Sequence, residues 1–180
     1  MFVLLSNDDG IQAPGLTALA HTFHGAGHEI AVVAPDRERS ASSHSITVNK
    51  PLRIQKVDLD SKIKWSYAVN GTPSDCVKLA LTTLLPRQPD MVISGINNGP
   101  NLGTDVFYSG TVAAALEALL HGIPGIAISL ATVNSKPDFS PAANIGLSIA
   151  SRLVLKSNLA QTLININVPD EKKAPVKGLK

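Results

Sequence analysis

Short apolar runs alternate with amphipathic segments along the chain. Each run is bounded by polar or turn-forming residues, as expected of strands buried on both faces of a parallel sheet. The predicted strands cover residues 2–5, 30–34, 91–93, 125–130 and 163–168. Apolar positions at helical spacing predict helices after Pro14 and over residues 73–85, 109–121 and 142–156. This order of elements predicts an α/β fold with a mostly parallel central sheet and right-handed crossovers.

Two segments depart from this alternation. Residues 36–67 are polar and irregular, but residues 52–57 alternate and residues 65–69 have the pattern of a short strand. We therefore predict an irregular, hairpin-like insertion around residues 45–69 at an edge of the sheet. Residues 170–180 are charged and predict a tail that follows a single domain spanning residues 1–169.

The composition is that of a globular protein. Hydrophobic residues make up 44% of the 180 positions and charged residues 17%, so the chain can bury enough apolar surface to fold. Sixteen basic and fourteen acidic side chains leave a formal charge of +2, and no basic stripe alternates with aromatic residues. Binding to duplex nucleic acid is therefore disfavoured.

The cysteine content and the first residues bear on the cellular compartment. Cys76 is the single cysteine, and no histidine lies near it at zinc spacing, which favours a packed thiol in a reducing compartment. Residues 1–5 are apolar but too few for a signal peptide or a membrane span. We therefore expect a cytoplasmic protein with no membrane partner.

Two adjacent carboxylates follow the first predicted strand. Asp8 and Asp9 lie where a parallel sheet binds ligands, beyond the carboxyl end of a strand. Their charges repel each other unless a cation, a proton or hydrogen bonds compensate them. A strand-exit turn rich in Asn, Asp and Gly explains the same residues without a ligand, so the neighbouring loops must decide between the two interpretations.

Those neighbouring loops offer further oxygen atoms. Ser40 lies in a hydroxyl-rich loop (residues 36–45) after the second strand. Asn97 lies in an Asn- and Gly-rich loop after the next buried strand. Together with Asp8 and Asp9, they predict an all-oxygen site for Mg²⁺ or a similar hard ion. Zinc would prefer nitrogen or sulfur ligands.

A helix begins beside the Asn-rich loop and suggests a phosphate site. Ser109, Gly110 and Thr111 combine a hydroxyl cap with the free N–H groups of a helix N-terminus. A plain helix cap explains them as well, but their position near Asn97 favours phosphate. His44 is a minor candidate for a phosphate contact or a general acid, because a lone loop histidine more often has no catalytic role.

Six segments of the chain match one known family in the same order. They are residues 4–10, 13–15, 33–37, 71–73, 94–97 and 108–114. They resemble the SurE family of survival proteins, the stationary-phase 5'-nucleotidases, over residues 1 to about 168. The resemblance implies a Rossmann-like three-layer sandwich and hydrolysis of nucleoside 5'-monophosphates, with broader phosphomonoesterase activity.

The resemblance also implies a site and an assembly. One Mg²⁺ or Mn²⁺ ion per subunit would be held by Asp8, Asp9, Ser40 and Asn97, the two aspartates being catalytic. The implied phosphate contacts are Asn7, Ser43, Ser109, Gly110 and Thr111. Similar proteins form homo-oligomers, dimers or tetramers, and continue for many tens of residues past the last predicted strand with a segment that exchanges between subunits. That segment has no counterpart in the 180 residues here.

Several alternatives bear on the mechanism and the class of protein. A metal-activated water is the expected nucleophile, but attack by Asp8 or Asp9 to form an aspartyl phosphate stays open, as does a non-catalytic module that binds metal and nucleotide. A receiver-like switch is disfavoured because Ser94 and Gly95, not an aspartate, follow the central strand. The chain also lacks the G-x-G-x-x-G motif of dinucleotide-binding enzymes and the ending of a P-loop.

Overall fold

A seven-stranded sheet forms the centre of the computed structural model, which describes residues 1–154, 162–170 and 178. The strands are β1 (Phe2–Ser6), β2 (Glu29–Pro35), β3 (Ile54–Lys56), β4 (Trp65–Val69), β5 (Met91–Asn98), β6 (Gly125–Ala131) and β7 (Leu163–Pro169). Their order across the sheet is β3-β4-β2-β1-β5-β6-β7, and every neighbouring pair is parallel except β3 with β4. The predicted α/β class and mostly parallel sheet are confirmed.

Helices cover both faces of the sheet. They are α1 (Pro14–Gly25), α2 (Pro73–Leu79), α3 (Gly110–Leu120) and α4 (Ser140–Val154). Successive side chains of β1 point to opposite faces, so Val3 and Leu5 join the core beneath α1 and α4, whereas Phe2 and Leu4 join the core beneath α2 and α3. This confirms the three-layer arrangement. No helix among the described residues is long and apolar enough to cross a membrane.

The predicted hairpin insertion is confirmed in reduced form. Of the alternating residues 52–57, only Ile54–Lys56 form a strand, which is exposed and antiparallel to β4. Residues 65–69 form β4 as predicted, and β4 is parallel to β2. At the other end of the chain, the predicted last helix reaches Val154, and residues 155–156 lie outside the described part. The predicted tail also falls mostly on residues that are not described, so it stays a prediction together with the domain limit at residue 169.

The second predicted helix changes its geometry halfway. After α2, residues Ala80–Leu84 form a π-helical turn, in which the Leu85 N–H bonds the Ala80 carbonyl, five residues earlier. The Thr82 hydroxyl donates to the Lys78 carbonyl at 2.8 Å. Because threonine side chains at such positions compete with the backbone hydrogen bonds of a helix, this contact accompanies the loss of regular α-helical bonding.

Strand β5 is longer than its apolar run suggested. It continues through Asn98 with a shift of register between Ser94 and Asn97 against β6, and the Gly95–Ile96 peptide bond is cis. Gly95 has a φ of 135°, and a Cβ there would lie 2.3 Å from the Ile128 carbonyl oxygen. Only glycine fits this position. Asn97 therefore belongs to the irregular end of a strand and not to a free loop.

Candidate active site

The turn that follows β1 is held rigidly by Asn7. Its buried side chain bonds Gly10 twice, with Nδ2 donating to the Gly10 carbonyl at 2.9 Å and Oδ1 accepting from the Gly10 N–H at 3.2 Å. The Asp8 carbonyl in turn accepts from the Arg39 N–H at 2.7 Å, which ties this turn to the loop after β2. Asn7, predicted as a phosphate contact, thus has a structural role in shaping the acidic turn.

Asp8 is buried against the first turn of α3. Its Oδ1 accepts a hydrogen bond from the Thr111 hydroxyl at 2.5 Å, and only 6% of the residue is exposed. A Cβ on Gly110 would lie 2.8 Å from Asp8 Cβ and 3.0 Å from Oδ2, so the absence of a side chain at Gly110 permits this approach. Burial raises the pKa of Asp8, and the bond from Thr111 opposes that rise.

Asp9 lies beside Asp8 in a more open position. Burial, followed by the nearby negative charges of Asp8 and Glu38, raises the pKa of Asp9 to about 6, while a hydrogen bond from the Asn98 N–H acts in the opposite direction. In the described part of the chain, neither aspartate forms an ion pair with a basic side chain. A bound cation would relieve this repulsion between carboxylates.

Ser40 and Asn97, the other two predicted metal ligands, lie at the same edge of the sheet. The exposed Ser40 hydroxyl donates to Glu38 Oε1 at 2.5 Å, and a hydroxyl that donates still has lone pairs for a cation. Asn97 donates through Nδ2 to the Gly99 carbonyl at 2.8 Å, which leaves its amide oxygen out of that bond. Neither side chain is hydrogen-bonded to Asp8 or Asp9; their bonds go to Glu38 and Gly99.

The donor set favours a hard ion. Among the described residues, no group of three His, Cys, Asp or Glu side chains is arranged to hold a metal. The candidate centre therefore combines two carboxylates with neutral hydroxyl and amide oxygens, a set that suits Mg²⁺ or Mn²⁺. Hydrated ions of this kind need only a few protein ligands.

The predicted phosphate residues surround the start of α3. Ser109 is the N-cap, and its Oγ accepts from the Val112 N–H at 3.1 Å. The Ser43 hydroxyl donates to the Phe107 carbonyl at 2.8 Å, and its N–H donates to the Tyr108 carbonyl at 3.0 Å. These hydroxyl groups are thus engaged within the protein, as is that of Thr111. The N–H groups of the first helical turn are the donors that an α-helix leaves without internal partners.

Two residues at this site were missed by sequence reasoning. The Ser42 Oγ is buried without a hydrogen-bond partner among the described residues, and a Cβ on Gly110 would lie 2.7 Å from it. Glu38 adds a third negative charge close to Asp9. Both belong to the polar loop that sequence analysis singled out, but spacing alone could not show that Ser42 and not its neighbours points at Gly110.

A cavity opens on the other side of Asp9. It has a volume of about 420 Å³, and its walls include Asp9, Glu38, Asn98, Lys136 and Phe139. Pockets of 300–1,000 Å³ are typical of small-molecule sites. The acidic pair therefore lies between this cavity and the first turn of α3.

A match to a family model decides the classification of the chain. The model described as "Survival protein SurE" matches residues 3–180. The chain belongs to the SurE family. Relatives named "5'-nucleotidase SurE" from Synechococcus elongatus and Xylella fastidiosa are 50% and 47% identical to it, over its whole length and over 69% and 68% of their own. The resemblance inferred from the six motifs is therefore confirmed.

A solved SurE structure shows the same fold. The SurE protein from Aquifex aeolicus superposes with a TM-score of 0.88 at 39% identity, covering all of this chain and 71% of the other. The Rossmann-like α/β architecture implied by the SurE resemblance is thereby confirmed. The individual metal and phosphate contacts remain predictions.

Proposed function

We propose that this chain hydrolyses nucleoside 5'-monophosphates with one divalent cation, Mg²⁺ or Mn²⁺, held by Asp8, Asp9, Ser40 and Asn97. Its class of activity follows from membership in the SurE family, whose curated members at about 50% identity carry the name 5'-nucleotidase. The observation that supports the site most directly is the buried contact of Asp8 with Thr111 and Gly110. That contact makes the acidic pair and the amino end of α3 parts of one site.

The acidic pair suits a divalent ion on electrostatic grounds. Two adjacent carboxylates and Glu38 concentrate negative charge, and no ion pair among the described residues involves Asp8 or Asp9. When bound, a divalent ion in such a site polarises a phosphate oxygen and lowers the pKa of a water molecule that serves as nucleophile. Asp8 is fixed by Thr111 and Asp9 by the Asn98 N–H, so both ligands are oriented in advance.

The start of α3 would hold the phosphate. The N–H groups of Gly110 and Thr111 and the positive end of the helix dipole favour an anion. Ser42 brings a buried hydroxyl without a protein partner to the same position. In the reaction, the bond between phosphorus and the 5'-oxygen breaks as the water oxygen bonds to phosphorus. The water loses a proton and the leaving oxygen gains one.

The nucleoside would occupy the cavity beside Asp9. Its volume of about 420 Å³ is sufficient for a leaving group of this size. Phe139 and Pro14 provide apolar walls, while Ser135 and Lys136 provide polar groups. Because the cavity lies next to the acidic pair, a nucleoside there would keep its 5'-phosphate within reach of the metal site.

A phosphate-release assay tests the proposal. Nucleoside monophosphates would be incubated with the wild-type chain and with Asp9→Asn, in Mg²⁺, in Mn²⁺ or with chelator. We expect release that requires the metal and falls at least about 100-fold in Asp9→Asn, because loss of a residue that only orients a metal ligand already costs about 10- to 100-fold. Glu29→Gln is the matched control, because Glu29 starts β2 at the opposite end of the sheet and pairs with Arg87 at the surface.

Three outcomes would contradict the proposal. Equal release with chelator, or an unimpaired Asp9→Asn, would rule out the metal assignment. If an aspartate became phosphorylated during turnover, Asp8 or Asp9 would be the nucleophile instead of water.

We further propose that this chain forms a homo-oligomer, a dimer or tetramer, because of the family resemblance. We also propose a cytoplasmic location, because of its cysteine content.

A further inference from the structure

A buried carboxylate on α3 lies outside the proposed metal and phosphate contacts. Glu117 is only 3% exposed, and its Oε2 lies 2.7 Å from His44 Nε2, while its Oε1 lies 3.3 Å from His121 Nε2. A carboxylate in such a position is costly unless hydrogen bonds compensate it. Both histidines donate to Glu117 through Nε2, and these bonds compensate the burial of its carboxylate. One of the two donors, His44, belongs to the loop after β2.

The loop that contains His44 has an unusual backbone. Ala41 and Ser43 have φ values of 52° and 51°, in the left-handed region that non-glycine residues rarely adopt. Such conformations persist only where the surroundings determine them strongly. Here the surroundings include the two bonds from Ser43 to the turn before α3, and the contact of His44 with Glu117.

The same loop contains the groups that the proposed reaction needs. Ser40 is a proposed metal ligand, and the unpartnered Ser42 hydroxyl faces Gly110. Ser45 donates to the Ser42 carbonyl at 2.7 Å, so the segment that follows Ser42 is folded back on it. The conformation of this short segment therefore determines whether Ser42 reaches the first turn of α3.

We propose that Glu117 is a positioning residue that acts through His44. It holds the hydroxyl-rich loop (residues 36–45) against α3 so that Ser42 can contact the phosphate. The inference rests on the proposed function. Glu117 lies seven residues after Gly110, about 10 Å along a helix that rises 1.5 Å per residue. His44 Nε2 is bound to this carboxylate, whereas the proposed phosphate position lies at the first turn of α3. His44 thus fixes the loop and does not take part in the reaction itself.

His121 provides a matched control. Its ring contacts the same carboxylate, and its side chain is 28% exposed, as is that of His44. It lies at the C-cap of α3, however, and has no place in the hydroxyl loop. Truncation of either histidine removes one partner from Glu117, but only truncation of His44 releases the loop.

The experiment compares His44→Ala, His44→Gln and His121→Ala in two measurements. The first is the affinity for inorganic phosphate in the presence of Mn²⁺, and the second is amide hydrogen exchange over residues 41–45. For His44→Ala we expect phosphate affinity to fall about tenfold and loop exchange to accelerate, as for the loss of one hydrogen bond to a charged group. His44→Gln keeps an N–H donor and should stay within about threefold of the wild type, and His121→Ala within about twofold.

The outcomes separate this inference from the proposed function. Equal losses in His44→Ala and His121→Ala would overturn it, because Glu117 would then stabilise the fold in general. A His44→Gln variant with normal loop exchange but lost phosphate affinity would also overturn it, since the imidazole itself would then contact phosphate. If the wild-type chain fails to bind phosphate with Mn²⁺, the proposed function fails, while hydrogen exchange still tests the link between Glu117 and the loop.

Discussion

The Thr111 hydroxyl donates to Asp8 Oδ1 over 2.5 Å in a buried contact between residues 103 positions apart in the sequence. Asp8 follows the first strand, and Thr111 lies in the first turn of α3. This bond joins the proposed metal site to the proposed phosphate site. It also opposes the rise in the pKa of Asp8 that burial causes, so it favours the ionised form that a cation needs.

Replacement of Thr111 by valine should weaken the site more than the fold. Valine has nearly the same shape, but the change leaves a buried carboxylate with one donor fewer, so the pKa of Asp8 should rise further. We expect metal affinity to fall and the free energy of unfolding of the metal-free protein to drop by about 1–3 kcal/mol at neutral pH. Calorimetric titration with Mn²⁺ and urea denaturation measure the two effects. Thr111→Ser keeps the hydroxyl and should retain most of the affinity, and similar behaviour of both variants would contradict this role.

The fold could be predicted largely from the order of its apolar runs. Strands buried on both faces give continuous hydrophobic segments, and these located five of the six parallel strands. The sixth, β4, was predicted from the pattern of a short strand over residues 65–69. The end of β5 was not predicted because its geometry depends on a tertiary contact, the close approach of Gly95 to the Ile128 carbonyl. The π-helical turn after α2 was likewise missed, since residues 80–84 have the ordinary apolar spacing of a helix.

The site was predictable in outline only. Ligands bind beyond the carboxyl ends of parallel strands, and this rule indicated the acidic pair and the start of α3. The structure brings Asp8, Gly110 and Thr111 into contact. The partners of the hydroxyl groups were not predictable, because they depend on how the loop after β2 folds. That loop turns Ser42 towards Gly110 and bonds Ser43 to the Phe107 carbonyl. His44, a minor candidate from the sequence, has a specific partner in Glu117 that lies 73 positions away.

Replacement of Gly110 by alanine should damage the site even though alanine favours helices. Its Cβ would lie 2.7 Å from Ser42 Oγ and 2.8 Å from Asp8 Cβ, so either the loop or the acidic turn must move. We expect kcat/KM to fall at least about tenfold, despite the gain of up to about 1 kcal/mol in helix propensity. Gly25→Ala at the end of α1 is the control, because nothing lies within 4 Å of its Cβ position. Full activity of Gly110→Ala would show that this close packing is unimportant.

Cys76 should behave as an inert part of the core. It is fully buried between α2 and the sheet, and burial, with a smaller contribution from Asp75, raises the pKa of its thiol well above the usual value. The thiolate is the reactive form, so a disulfide reagent at pH 8 should modify the folded protein at least about 100-fold more slowly than the urea-unfolded chain. Absorbance after addition of the reagent measures both rates. Rapid modification without urea would contradict the packed position of the thiol.

Asp9 should make the metal-free protein sensitive to pH near 6. Its pKa is raised from 3.8 to about 6 by burial and by the charges of Asp8 and Glu38, so the folded state binds a proton there more tightly than the unfolded state does. Stability from this group is therefore fully present below about pH 4 and is lost as the pH rises through about 6. Because a cation competes with that proton, Mn²⁺ affinity should fall as the pH drops through 6.

The pKa of Asp9 can be measured directly by carbon-detected NMR titration of the carboxyl groups, with a chelator present to keep the protein free of metal. The Asp9→Asn variant identifies the resonance. A midpoint near 4, or a Mn²⁺ affinity unchanged between pH 7 and pH 5, would show that the acidic pair is compensated by the protein itself and does not depend on a cation.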